Sequence, residues 1–329
     1  MNTRTIAGLI TLKLILSPGF AAAQSANPEH DEVMQTIHAW TYTMANGDIE
    51  SRNALTIDGS MIHVMAEEDD GSFQLRPRQL IHANLSASDA VMIERYWNEQ
   101  LIVNDQLATF WADYDFWIDG EFSHCGADIF NLAMISGVWK LGNMSYTVQR
   151  SNCSPSPLGS LEDSIPGQNL QLAESFIDAF YSFNPEALQP FFFTADASSA
   201  SLMFYQGWAE GGNYKIVERQ DCRAVSADSI VCPITVEDDP MLALGLDFKV
   251  TDTFTLTFDG PLLIAVETSS NDLPVYYQAF QWVTEQMPEV MEGPCQGYFA
   301  GGPTPQACAR AMTEGYRQFA ASEEFPRDR

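Results

Sequence analysis

Residues Phe110–Thr147 read "FWADYDFWIDGEFSHCGADIFNLAMISGVWKLGNMSYT". Asp119-Gly120 and Ser136-Gly137 divide this stretch, and both pairs have the chemistry of tight hairpin turns. Between the turns the residues alternate with a period of two, as in strands with one buried face. Upstream, "VMIERYWNEQLIV" (91–103) has the same pattern and joins at Asn104-Asp105. The spacing predicts a four-strand antiparallel meander. Before it, Val33, Ile37, Trp40 and Met44 recur at helical spacing, and Asn46-Gly47 ends that helix. A hairpin around "MIHVMAEEDDGSFQL" and a short helix near "RQLIHANL" lie between.

The second half follows a similar order. Leu172, Phe176, Ala179, Phe180 and Phe183 make a helix face, and Asn184-Pro185 opens another helix with Asn as its N-cap. Strands follow in "YKIVERQDCRAV", "SIVCPITVED", "FKVTDTFTLTF" and "PLLIAVETSS", then helices in "PVYYQAFQWVTEQM" and from Thr304-Pro305. Between the halves, "SPSPLGSLEDSIPGQ" (154–168) is dense in Pro, Ser and Gly and reads as a linker. Helices followed by a long antiparallel meander give an α+β class, with a cavity between the layers.

The stretch at 110–147 resembles the strand meander of the nuclear transport factor 2-like (NTF2-like) superfamily, in its SnoaL-like and lumazine-binding-like branch. The carriers are the aromatic strand, the turn, the next strand and "GVWKL", in which Val138 falls between Gly137 and Trp139. The resemblance covers about residues 29–153; in 168–290 it lies in element order more than in motifs. It implies two tandem cone-shaped domains, each a curved antiparallel sheet around N-terminal helices. The expected division is a signal peptide at 1–23, domains at 24–153 and 169–329, and the linker at 154–168. It also implies pocket functions: small-molecule binding, or cofactor-free isomerase, dehydratase or cyclase chemistry. Sheets of this family often dimerise, so an intrachain pseudo-dimer or a homodimer is expected.

The bulk numbers fit an exported protein. "MNTR", an apolar run and "AAAQ" form an export signal with cleavage after Ala23, so a periplasmic or secreted location is expected. The formal net charge is −28, spread over both halves, which argues against nucleic acid and anionic membranes as partners. Six cysteines in an exported chain favour disulfides. Cys222 and Cys232 are symmetric about a turn and should face each other. Cys295 and Cys308 flank a Gly/Pro-rich loop. Cys125 and Cys153 remain, and pairing them needs a bend at the strand end. A free or nucleophilic Cys125 is the alternative.

All five histidines (30, 38, 63, 82, 124) lie in the first half, and none has metal-motif spacing; no metal or cofactor is expected. His124 shares a strand face with Phe122, Gly126, Asp128, Phe130 and Leu132. Placing Phe130 and Leu132 with Trp139 and Leu141 brings Asn143, Ser145 and Thr147 to that face. The neighbouring strand allows two registers. One sets Asp115 beside His124, an imidazole–carboxylate pair for a general base. The other sets Phe116 and Tyr114 there, an aromatic slot, and the family resemblance tilts toward it. The candidate catalytic residues are His124, Tyr114 and Asp115. A small apolar or aromatic ligand would meet His124, Tyr114, Phe116, Asp128, Asn143, Ser145, His63 and Trp40. A well-hydrogen-bonded core histidine is the plain alternative at His124. Asp238-Asp239 reads as a strand end and Trp208 as a cap on the second core.

Overall fold

The computed structural model describes residues 28–80, 90–297 and 305–327. The expected signal segment at 1–23, His82 and most of "RQLIHANL" lie outside these residues. The chain is α+β, with one sheet of six strands and one of five.

The first half opens with α1 (Pro28–Asn46) and α2 (Ile49–Ala54). Asp48 caps α2 by accepting from Ser51 N at 2.9 Å. The strands are β1 (Thr56–Glu67), β2 (Phe73–Gln79), β3 (Met92–Asn104), β4 (Leu107–Ile118), β5 (Glu121–Ile135) and β6 (Val138–Val148). Their order is β2-β1-β6-β5-β4-β3. The predicted hairpin and meander are all present. One pairing was not foreseen: β1 lies parallel to β6, so this sheet is mixed. Val33, Ile37 and Trp40 of α1 pack on Phe110, Phe130, Leu132 and Trp139 as the core.

Two bulges set the faces. Trp117 pairs with Phe122 but Phe116 with His124, so Ser123 is an extra residue. Asn131 pairs with Asn143 but Leu132 with Leu141, so Gly142 is another. Each bulge swaps which side chains face the core beyond it.

The second half begins with α3 (Leu161–Tyr181), which starts inside the predicted linker. Ser160 caps it, accepting from Asp163 N at 3.2 Å. A short α4 (Pro185–Leu188), capped by Asn184 as expected, runs into a 3₁₀ turn at Gln189–Phe192. Then come α5 (Asp196–Gly211), β7 (Lys215–Arg219), β8 (Arg223–Ala224), β9 (Ser229–Glu237), α6 (Asp239–Ala243), β10 (Val250–Asp259) and β11 (Leu262–Ser270). Three helices, α7 (Pro274–Gln286), α8 (Pro288–Glu292) and α9 (Pro305–Ala321), complete it. β9, β10 and β11 form a meander, and β7 and β8 both pair with β9 as one interrupted edge. This sheet has antiparallel pairs throughout.

Three disulfides are formed: Cys125–Cys153, Cys222–Cys232 and Cys295–Cys308. Cys125 pairs with Gln149 at the end of the ladder, and the chain then turns at Asn152 (φ 55°) to bring Cys153 back. Cys125 is therefore not a free thiol. Among the described residues no helix is long and apolar enough to cross a membrane.

The halves pack through helices. Tyr42 of α1 belongs to the second core, stacked on Phe191 with centroids 6.1 Å apart. Its hydroxyl accepts from Leu263 N at 3.0 Å. Asn46 donates to Pro190 O at 3.1 Å.

Candidate functional site

The first half encloses a hollow of about 190 Å³ between α1, α2 and the concave face of the sheet. Its walls include Trp40 and Met44 from α1, Phe116 from β4, and Met144 from β6. Polar groups reach it from separate elements: Glu94 from β3, His124 from β5, Tyr146 from β6, Arg52 from α2 and Arg78 from β2.

His124 looks into this hollow. Phe116 stacks on it at 4.9 Å between centroids, and Tyr114 meets it edge-on at 5.7 Å. Ser123 Oγ lies 2.9 Å from its Nδ1. Burial, with the charge of Arg150 adding to it, holds the imidazole down at about 4, so it is neutral at pH 7. Tyr114 is fully buried and donates to Thr147 O at 2.7 Å; burial pushes its hydroxyl pKa up. Gly126 permits this bond, because a Cβ there would sit 2.1 Å from Thr147 O and 2.8 Å from the Tyr114 ring. Trp40 lines the hollow and donates to Thr56 Oγ1 at 3.1 Å.

Other candidates are elsewhere. Asp115 lies opposite Cys125, not His124, so the imidazole–carboxylate pair does not form. The Asp119-Gly120 turn has two residues, but the Ser123 bulge shifts the pairing by one. Asp115 is turned to the far face, where it is bonded to Arg95 and accepts from Trp117 Nε1 at 2.9 Å. The Arg95 guanidinium also donates to Ser160 O at 3.0 Å and Ser164 Oγ at 2.9 Å, which fixes the start of α3. Phe122 joins Trp117 on that face. Beyond the Gly142 bulge, Met144, Tyr146 and Val148 turn inward. Asn143 is exposed, where its side chain accepts from Met61 N at 3.1 Å, and Ser145 lies beside His63 on the outer face. Asn143, Ser145 and His63 are thus corrected out of the pocket.

Asp128 is on the inner face and fully buried. Among the described residues neither of its oxygens meets a donor, and the charge of Glu94 acts on it. Each negative charge makes ionisation of a neighbouring buried carboxyl harder. Burial first, and then the charge of Glu94, pushes Asp128 well up. Burial pushes Glu94 up to about 7, against the hydrogen bond donated by Tyr96 at 2.6 Å. The sequence reading missed Glu94 and Tyr96. Their signal was an acid set in the apolar alternation Met92-Glu94-Tyr96 of a strand.

Among the described residues no group of three His, Cys, Asp or Glu side chains converges as a metal site requires. In the second half Asp252 is buried and accepts from Ser270 Oγ at 2.5 Å and Tyr181 OH at 3.3 Å. Asp238 caps α6 through Met241 N at 2.7 Å, and burial raises it to about 7. These are structural roles, and Trp208 is buried in the second core.

Several solved structures match part of the chain. An NTF2-like protein from Shewanella baltica is 17% identical, with a TM-score of 0.27, covering 40% of this chain and 98% of its own. An NTF2-like protein with a cystatin-like fold from Novosphingobium aromaticivorans is 12% identical, with a TM-score of 0.28, covering 38% and 85%. A candidate dehydratase of the NTF2-like family from Streptomyces avermitilis is 12% identical, with a TM-score of 0.31, covering 37% and 98%. At these scores they add nothing to the reading of the fold or of the site. No protein-family model matches the chain, and no curated protein matches it.

Proposed function

We propose that the hollow of the first half binds a small, mostly apolar or aromatic molecule. The observation that carries this is the hollow itself: apolar walls from Trp40, Met44, Phe116 and Met144, with few polar groups converging from separate elements. Arg52 and Arg78 suit an acceptor on the ligand, and a protonated Glu94 can donate to one. The three disulfides suit an oxidising compartment, so removal of 1–23 and a periplasmic or secreted location belong to the same reading. So does the division into two domains, with the second opening at α3 and not, as expected, at 169. The charge of −28 disfavours nucleic acid.

A second reading is cofactor-free acid–base catalysis of the isomerase, dehydratase or cyclase type. One observation favours it: Glu94 is pushed up to about 7 while His124 is pushed down to about 4, and both line the same hollow. Opposed shifts of this kind make an acid and a base available together at neutral pH. Glu94, not Asp115, is then the partner of His124.

Native mass spectrometry of the exported protein tests both. A retained molecule is expected in the wild type and in His124→Gln, and is expected to be lost in His124→Trp, which fills the hollow. An empty wild type, or equal retention by His124→Trp, refutes the binding reading. If the retained molecule is turned over, His124→Gln and Glu94→Gln each lower the rate by roughly 10²–10⁴-fold.

A further inference from the structure

A second cavity, of about 340 Å³, lies between the two halves and adjoins the hollow, with Met92 and Glu94 lining both. It is bounded by α1 through His38 and Tyr42, by β3 through Glu94 and Glu99, and by α3 through Gln168 and Leu172. β3 is an edge strand of its sheet among the described residues. We propose that this cleft is a binding site for a compact amino alcohol: a molecule with an apolar body, a protonated amine and a hydroxyl acceptor.

The charge of the walls selects the amine. Two carboxyls, those of Glu99 and Asp163, supply the negative charge of the cleft wall; Glu94 also lines it, but burial pushes its carboxyl up to about 7, so it adds only part of a charge. Arg95 is the cation among its lining residues, and its guanidinium is already engaged by Asp115, Gly159, Ser160 and Ser164. His38 adds no charge. Its Nδ1 lies 3.3 Å from Ser175 Oγ, Gln171 Nε2 lies 2.9 Å from its Nε2, and burial holds it down at about 4. The chain's charge of −28 repels anions from the same opening.

The hydroxyl follows from Gln168. Its Nε2 is buried and has no hydrogen-bond partner among the described residues, and Gln168 lines the cleft, so this donor is free for an oxygen there. An amide donor left unpaired in a partly apolar space is satisfied by a ligand oxygen. Tyr42, Leu172 and Pro261 supply the apolar surface for the body.

The test uses three probes of one skeleton, 2-amino-1-phenylethanol, 2-phenylethylamine and mandelate, titrated calorimetrically into the full chain. The amino alcohol is expected to bind roughly 3–10-fold more tightly than the amine, the difference of one hydrogen bond, and mandelate not to bind. Gln168→Leu is expected to erase the difference between the two amines. Glu99→Gln, at an exposed position on the rim, is expected to weaken both by roughly 3–10-fold. His124 does not line the cleft, and His124→Trp is expected to leave binding of the amines there unchanged. Mandelate binding as well as the amines overturns the proposal in the wild type alone. Amine binding that disappears in His124→Trp and survives Gln168→Leu and Glu99→Gln assigns the amine to the hollow and overturns it too. The reading of the hollow stands or falls separately, on its own retained molecule.

Discussion

Arg95 and Asp115 show how a single residue's setting decides its role. Both are buried, and neither charge has water to fall back on. Removing one partner strands the other, which costs about 3–5 kcal/mol, whereas replacing both with apolar residues of similar volume costs far less. Asp115→Ala is therefore expected to lower unfolding stability in urea by that amount, and Arg95→Met with Asp115→Leu to recover most of it. Equal losses in the single and double variants would contradict the pairing. The sequence showed that Asp115 and His124 stand on adjacent strands near a turn. It did not show that they face apart, because one bulged residue exchanges the two arrangements. His124 and Trp40 were legible as wall residues from alternation and helical spacing, whereas Phe116 belonged to one of two open registers, the one that the family resemblance favoured. Glu94 was hidden because its significance depends on Asp128, 34 positions along the chain and two strands over.

At the scale of elements, period-two patterning and paired turn residues were enough to place all six strands of the first sheet. The bulges at Ser123 and Gly142 left no trace in that pattern: each is a small residue that fits a turn, a strand or a bulge equally. For the same reason Asn143 and Ser145 were expected on the wrong face. Helix α5 was missed because its buried face includes Ser198, Gln206, Gly207 and Gly211, not a run of large apolar residues. Those small residues let α9 approach closely; a Cβ on Gly211 would meet the backbone of Gln306 at 2.4 Å. Gly211→Ala is expected to cost about 1–3 kcal/mol by forcing α5 and α9 apart, although alanine is the better helix former. Near-UV circular dichroism and urea unfolding check it, and a stabilised Gly211→Ala would show that the helices part freely. The Cys125–Cys153 bond closes a loop of sequence separation 28 between β5 and the chain after β6. Removing it with Cys125→Ser and Cys153→Ser is expected to cost about 3–4 kcal/mol in the loop-entropy picture, read as a lower denaturation midpoint.

Over the whole molecule, the tandem order was legible from the Pro/Ser/Gly-rich stretch, but the docking was not. Tyr42 sits on an ordinary amphipathic helix, and nothing in its neighbourhood names Phe191 or Leu263 as partners. The buried carboxyls supply a property of the molecule as a whole. Glu94 and Asp238 are held at about 7 and Asp272 at about 6, with Asp128 and Asp252 also pushed upward, all primarily by burial. In the unfolded chain such groups titrate near 4. Between those limits the folded state binds more protons, so stability is gained as pH falls through 7 and lost as pH rises through it. His38 and His124, held at about 4, act in the opposite sense, but only below about 6.5, where the unfolded chain begins to protonate its histidines. The interval from pH 8 to 7 therefore isolates the carboxyls. The charge of −28 adds to the trend, since acid relieves its self-repulsion. The urea midpoint is expected to be higher at pH 7 than at pH 8, and higher again at pH 6. Added salt should shrink the part that comes from surface repulsion and leave the buried part. Glu94→Gln combined with Asp238→Asn, which keeps an α6 cap, should flatten what remains. A midpoint that rises from pH 7 to pH 8 would mean that these carboxyls are ionised in the folded protein, and the reading of Glu94 as a neutral acid in the hollow would go with it.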